Sequence, residues 1–85
     1  MSGVDGVDSR ALRWRCRRGM LELDTILTDF YDHCYVELDA DLQASFVSLL
    51  LQEDQDIYRW LLMGEASNKG ELSAIINLIH DRLHP

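Results

Sequence analysis

Three histidines, two cysteines and fifteen carboxylates are the side chains of this 85-residue chain that could support catalysis. A catalytic site needs a nucleophile beside a base, or paired carboxylates in a cleft. His33 and Cys34 are neighbours in sequence, and neighbouring positions of a helix do not face each other. His80 and His84 are four residues apart and could share a metal ion, but no glutamate completes an HExxH motif between them. The sequence therefore favours a protein that is not an enzyme.

Other metal and cofactor patterns are also incomplete. Asp54 and Asp56 lack the remaining ligands of a calcium-binding loop, and one of them is expected to cap a helix instead. Cys16 and Cys34 belong to no CxxC or Cys/His pattern, so we expect two reduced, partly buried thiols. The sequence contains no glycine-rich phosphate-binding loop. We predict neither a metal nor a cofactor of the protein's own.

The segment around Gly19 has a composition suited to binding another protein. Four of the eight basic residues lie at positions 13–18, immediately before this glycine. If helical geometry continued through the segment, Arg18 and Glu22 would lie one turn apart. Arg18 could then bind a carboxylate of a partner with two hydrogen bonds, and Glu22 could bind a basic group. Because Gly19 would let another backbone approach closely, we predict a docking site at these three residues.

Simpler interpretations of the same segment stay open. Gly19 could be a left-handed residue that ends a helix, with Arg18 and Glu22 forming only a surface pair. Trp14 and Met20 flank the segment, and they could be core residues or the apolar anchors of an interface.

Charge is unevenly distributed along the chain. Residues 1–18 carry five arginines and two aspartates, a net charge of +3, whereas the remainder carries three basic and thirteen acidic residues, a net charge of −10. The acidic body disfavours binding to nucleic acid, which needs clustered lysines and arginines. The basic end could meet an acidic patch on a protein. We therefore predict a protein partner and no nucleic acid.

The elements that position these residues are predicted to be helices. Apolar residues recur at spacings of three and four, glycine is sparse, and the one proline is the last residue. The predicted helices span residues 10–17, 20 to 34 or 35, 40–52, 54 or 56 up to Gly64, and 71–83. Since each has one apolar stripe, the helices must pack on one another. We predict an all-α fold, a compact five-helix bundle of short amphipathic helices.

The chain length suits one small domain, predicted at residues 9–85. Residues 1–8 are polar and are expected to form a disordered leader. They lack the apolar core of a secretory signal, and no apolar run reaches the roughly 18 residues of a membrane span. We expect no membrane insertion and a location in the cytoplasm of a bacterium.

The run WRCRRGMLELD, from Trp14 to Asp24, resembles the signature of the small succinate dehydrogenase assembly factors of the SdhE family. The hallmark of that family is an RGxxE motif. In this chain it consists of Arg18, Gly19 and Glu22, with two residues between Gly19 and Glu22. The likeness covers about residues 10–80. Further along the chain it continues in Phe30, His33 to Tyr35, Phe46, Leu49-Leu50, Asp54 to Ile57, Trp60-Leu61 and Gly64.

The resemblance implies a five-helix bundle without catalytic activity that promotes covalent attachment of FAD to the flavoprotein subunit of succinate dehydrogenase, and in some bacteria of fumarate reductase. It implies that Arg18, Gly19 and Glu22 carry this function. The remaining candidates for partner binding lie in the same run and are Trp14, Arg15, Met20 and Asp24. The FAD would belong to the client flavoprotein.

Three other functions remain possible on the sequence. An acidic helical module could neutralise a basic toxin, as an antitoxin does. The chain could bind and carry free FAD, although it lacks a dinucleotide-binding loop. It could also be a structural bundle whose arginine-rich segment is only surface.

Overall fold

The computed structural model describes residues 9–84, and the predicted leader at residues 1–8 lies outside them. Five α-helices follow one another in this part of the chain, and no strand occurs in it. The predicted all-α five-helix fold is therefore confirmed. The helices are α1 (Ser9–Arg15), α2 (Leu21–Cys34), α3 (Ala40–Leu50), α4 (Asp54–Leu61) and α5 (Ser73–Leu83), with single 3₁₀ turns at Tyr35–Glu37 and Gly70–Leu72.

All five helices contribute to one apolar core. Phe46 of α3 lies at an aromatic cluster, with its ring centroid 5.6 Å from those of Phe30 and Tyr35 and 6.3 Å from that of Tyr31. Rings at these separations attract each other in addition to the area that they bury. The other fully or almost fully buried side chains are Leu12, Cys16, Leu23, Leu27, Leu49, Leu50, Ile57, Trp60, Leu61, Leu72, Ile75, Ile76 and Ile79.

The apolar stripes predicted for α2 to α5 face this core, whereas only one of the two apolar pairs of α1 does so. Leu12 and Cys16 are buried as their spacing of four suggests. Ala11 and Trp14, the second apolar pair of that helix, are exposed. A helix of seven residues presents one narrow face to the core, so a second pair around its circumference stays in solvent.

Helix ends follow local sequence signals in some places and tertiary contacts in others. Asp39 caps α3, and its carboxylate accepts a 2.8 Å hydrogen bond from the backbone N–H of Leu42. Gly64 follows α4 with a φ of +73°, which glycine adopts without steric cost. The prediction that Asp54 or Asp56 caps α4 is wrong, because Glu53 occupies the N-cap position and both aspartates lie in the first turn. Asp54 is the first residue of α4, and its carboxylate binds an arginine that lies 36 residues earlier.

The segment that contains the RGxxE motif is not continuous helix. Helix α1 ends at Arg15, two residues before the predicted end, and α2 begins at Leu21. Residues 16–20 connect the two helices in a non-helical conformation. None of the helices in the described part of the chain has the length and apolar character needed to cross a membrane.

Candidate protein-docking surface

Helix α1 and the start of α2 place the connecting segment at residues 16–20. Arg13 holds α1 against α2 through two 2.9 Å hydrogen bonds, from its Nε and Nη2 to the two carboxylate oxygens of Asp32. The last turn of α1 tightens, because the N–H groups of Cys16 and Arg17 donate to carbonyls three residues earlier, at 3.0 Å each. The chain then reaches Gly19 in an exposed bend rather than as part of a helix.

Arg18 points into the protein and not into solvent. Its Nε donates to Oδ1 of Asp54 at 2.8 Å, its Nη1 donates to the carbonyls of Arg15 and Leu50 at 2.9 Å each, and its Nη2 donates to the carbonyl of Gln52 at 2.8 Å. Only 12% of its side chain is exposed. The two carbonyls at and beyond the end of α3 lack partners within that helix, and a cation suits the negative end of the helix dipole.

The sequence-based pairing of Arg18 with Glu22 does not occur. That pairing required continuous helical geometry, and residues 16–20 are not helical. Glu22 lies in the first turn of α2 and is exposed, and its side chain makes no hydrogen bond or ion pair with any residue from 9 to 84. A carboxylate in this position is free to meet a donor on another molecule.

The expectation that Gly19 adopts a left-handed conformation is wrong, since Gly64 is the one glycine with positive φ among residues 9–84. Helix α1 has already ended four residues earlier, so no left-handed residue is needed to close it. A Cβ atom at Gly19 would lie 3.8 Å from Oδ2 of Asp54, which is an ordinary van der Waals distance. The residue therefore offers bare, exposed backbone beside the Arg18–Asp54 ion pair.

Trp14 is on the surface, so its interpretation as a core residue is wrong. Its side chain is 71% exposed, and the guanidinium carbon of Arg17 lies 5.5 Å from the ring centroid. Arg17 also donates a 3.0 Å hydrogen bond to Asp24 of α2. Leu21 lies three residues before Asp24 on the same helix face and is 76% exposed. An exposed tryptophan and an exposed leucine thus flank an arginine–aspartate pair.

The two remaining candidates differ in their exposure. Arg15 is exposed and makes no side-chain hydrogen bond or ion pair within residues 9–84, although its carbonyl accepts a hydrogen bond from Arg18. Met20 is half-buried and packs against the apolar core. We call the exposed residues of this region, namely Trp14, Arg15, Gly19, Leu21 and Glu22, the junction surface.

Among residues 9–84, the histidine and cysteine side chains that could support catalysis do not form a nucleophile–base pair. Burial raises the pKa of the Cys16 thiol to about 11, so this cysteine is protonated at neutral pH and is a poor nucleophile. The rings of His80 and His84 lie with their centroids 4.4 Å apart and are tilted by 38°. Within residues 9–84 no cluster of three or more histidine, cysteine or acidic side chains could hold a metal ion.

The geometry of the junction surface suits recognition of another protein. It combines apolar anchors, one unpaired cation, one unpaired carboxylate and accessible backbone, which is the mixture found where proteins meet. Sequence reasoning found four of its five residues. It missed Leu21, whose exposure follows only from the orientation of α2. It also missed the role of Asp54, which binds Arg18 of the connecting segment although it lies on α4, 36 residues later in the sequence.

Comparison with known proteins identifies one family and several similar proteins that share one name. The family described as "Flavinator of succinate dehydrogenase" matches residues 10–83. The FAD assembly factor SdhE of Pseudomonas aeruginosa is 40% identical over 82 residues, which cover 96% of this chain and 98% of that protein. The proteins of the same name from Photobacterium profundum and Vibrio vulnificus are 41% and 38% identical over 73 residues, covering 85% of this chain and 83% and 85% of theirs.

Proposed function

Because the chain belongs to the family of flavinators of succinate dehydrogenase, we propose that it binds the flavoprotein subunit of that enzyme and promotes covalent attachment of FAD. The match over residues 10–83 confirms the resemblance noted in the run from Trp14 to Asp24. The observation that carries the proposal is the junction surface, where the exposed Gly19 and the unpaired Glu22 of the family motif lie beside exposed apolar residues.

The proposed factor acts by binding and orientation and has no catalytic activity of its own. The bond between a client histidine and the flavin is formed by chemistry that the client and the flavin supply. A bound helper can hold the parts of the client that carry these two groups in a reactive geometry, which lowers the barrier. In this proposal Glu22 meets a donor on the client, and Gly19 permits close contact with the client backbone.

The FAD in this proposal is bound to the client, and the factor holds no cofactor. Client range is a further part of the proposal and includes the flavoprotein subunit of fumarate reductase. The proposed location is the bacterial cytoplasm, where a newly made flavoprotein subunit meets FAD. Purification of the factor from fractionated native cells would test the client range and the location. The proteins that copurify identify the clients, and the fraction that contains the factor identifies its location.

The decisive experiment changes Gly19 to arginine. The client subunit is produced with the wild-type factor or with Gly19→Arg, and covalent FAD is measured as in-gel flavin fluorescence. We expect Gly19→Arg to remove most of the covalent FAD, since a long charged side chain would cover the exposed backbone beside Asp54.

A matched control is available at the other exposed glycine with ordinary backbone geometry. A Cβ at Gly70 would meet no atom within 4 Å, so Gly70→Arg adds the same side chain at a position with open space around the Cβ. We expect Gly70→Arg to support flavinylation like the wild type. Equal covalent FAD with the wild type and with Gly19→Arg would contradict the proposed function.

A further inference from the structure

We propose that Arg18 acts in flavinylation as a positioning residue rather than as a client contact, and that Asp54 is its partner in this role. Together they fix the connecting segment so that Gly19 and Glu22 are presented to the client. This inference rests on the proposed function and assigns a role to Asp54, which lies outside the RGxxE motif.

The hydrogen bonds of Arg18 leave little of its guanidinium for a partner. Four of its five N–H groups donate to Asp54 and to the carbonyls of Arg15, Leu50 and Gln52, all at 2.8 to 2.9 Å. For a client carboxylate to take two of these donors, the arginine would have to give up bonds that satisfy partly buried groups. Leaving such groups unpaired is costly, so the internal arrangement is favoured.

These contacts join three helix ends at one point. The carbonyl of Arg15 belongs to the end of α1, those of Leu50 and Gln52 belong to the end of α3, and Asp54 begins α4. The backbone hydrogen bonds of residues 16–20 lie at the ends of the segment, from the N–H groups of residues 16 and 17 and to the carbonyl of residue 20. The middle of the segment is therefore held in place by the side-chain hydrogen bonds of Arg18.

Asp54 is well placed to control the neighbouring glycine. One carboxylate oxygen accepts from Arg18 at 2.8 Å, and the other lies 3.8 Å from the position of a Cβ on Gly19. Loss of the carboxylate would release Arg18 and the backbone that follows it. Glu22 is four residues further along and would lose its fixed direction with respect to α3 and α4.

The test compares Asp54→Asn with Asp56→Asn. Asparagine preserves the shape of each side chain and removes its charge. Asp56 lies two residues after Asp54 in the first turn of α4 and binds Arg59 at 2.6 Å on the surface, so it is a matched control. Covalent FAD on the purified client is measured as a function of factor concentration.

We expect Asp54→Asn to raise the factor concentration needed for half-maximal flavinylation by about ten-fold, a loss of one charge-assisted contact, without changing the plateau. Asp56→Asn should resemble the wild type, and Asp54→Glu should recover part of the loss. A lowered plateau, or no effect of Asp54→Asn, would overturn the inference. A wild-type factor that yields no covalent FAD would instead contradict the proposed function.

A double variant separates positioning from contact. If Arg18 acts through Asp54, Arg18→Met combined with Asp54→Asn should be no worse than Arg18→Met alone. If Arg18 binds the client directly, the two losses should multiply, which would overturn the inference.

A spectroscopic measurement reports on the pair within the complex. The Arg18 Nε–H signal in ¹H–¹⁵N spectra should be protected from exchange in the free factor and remain so when the deuterated client is added. It should exchange rapidly in Asp54→Asn, while the amides of the core helices are unchanged. Loss or replacement of the Arg18–Asp54 bond on client binding would overturn the inference.

Discussion

At the scale of single residues, the two charged members of the RGxxE motif have opposite environments. The side chain of Arg18 is 12% exposed and binds internal acceptors, whereas Glu22 is exposed and unpaired within residues 9–84. Gly19 lies between these roles, with its backbone in solvent and an aspartate beside it. One residue of the motif therefore stabilises the segment, and the other two are accessible to a partner.

Trp14 provides a prediction at this scale. Since its side chain is 71% exposed, we expect Trp14→Ala to leave the thermal unfolding midpoint almost unchanged. As an aromatic anchor of the junction surface it should matter for binding, and its removal should weaken affinity for the flavoprotein subunit by about ten-fold or more. Titration of labelled client with the factor would measure this change.

Met63→Ala is the control for that prediction. Met63 is 59% exposed and follows the C-terminal end of α4, whereas Asp54 lies at the N-terminal end of that helix. We expect this variant to bind like the wild type. If Trp14→Ala also binds like the wild type, Trp14 is not an anchor of the interface.

At the scale of elements, α1 depends on the rest of the protein. A helix of seven residues is too short to be stable alone in water. Leu12 and Cys16 fix it to the core, and Arg13 fixes it to α2. The hydrogen bond from Arg13 lowers the pKa of the Asp32 carboxyl, so the stability from this pair is present at neutral pH and is lost as the pH falls through that lowered pKa.

These anchors are expected to differ in strength. Leu12→Ala removes a side chain that is 2% exposed and should lower the free energy of unfolding by about 2–4 kcal/mol. Arg13→Ala breaks an ion pair in solvent and should have a much smaller effect. Urea denaturation followed by circular dichroism would compare the two variants. A larger loss for Arg13→Ala would show that the ion pair, and not the core contact, holds α1.

At the scale of the whole molecule, one small core supports the entire fold. The described chain measures 39 × 25 × 23 Å, and each helix contributes buried side chains to the same cluster. A domain of this size has only a modest free energy of unfolding. Ionisation of a single buried group can therefore change the stability of the whole domain.

Cys16 makes this dependence measurable through pH. Its thiol is fully buried, and burial raises its pKa from the ordinary 9.0 to about 11. As the pH rises, the thiol loses its proton in the unfolded chain at a lower pH than in the folded protein. The stability that the buried, protonated thiol contributes is therefore complete below about pH 9 and is lost as the pH rises towards 11. The advantage of the wild type over Cys16→Ala in urea denaturation should therefore shrink between pH 8 and 10.5. An advantage that is constant over this range would contradict the prediction.

Local patterns predicted most of the fold because they depend on neighbours in sequence. Spacings of three and four located the buried faces of α2 to α5, and Asp39 and Gly64 marked helix ends by their own conformational preferences. Composition and the RGxxE run also indicated a protein-binding role. These features follow from helix geometry and from side-chain chemistry, which act over a few residues.

The positions of Arg18 and Trp14 were decided only by tertiary structure. Arg18 could have paired with Glu22 one turn away, but three of its four acceptors lie on residues that are 32 to 36 positions later in sequence. They are available because α3 ends and α4 begins beside the connecting segment, leaving backbone carbonyls that need donors. Trp14 is exposed because the narrow face of α1 is filled by Leu12 and Cys16. The sequence thus determined the helices and four of the five residues of the junction surface, whereas packing exposed Leu21 and decided which side chains face the core and which remain available to a partner.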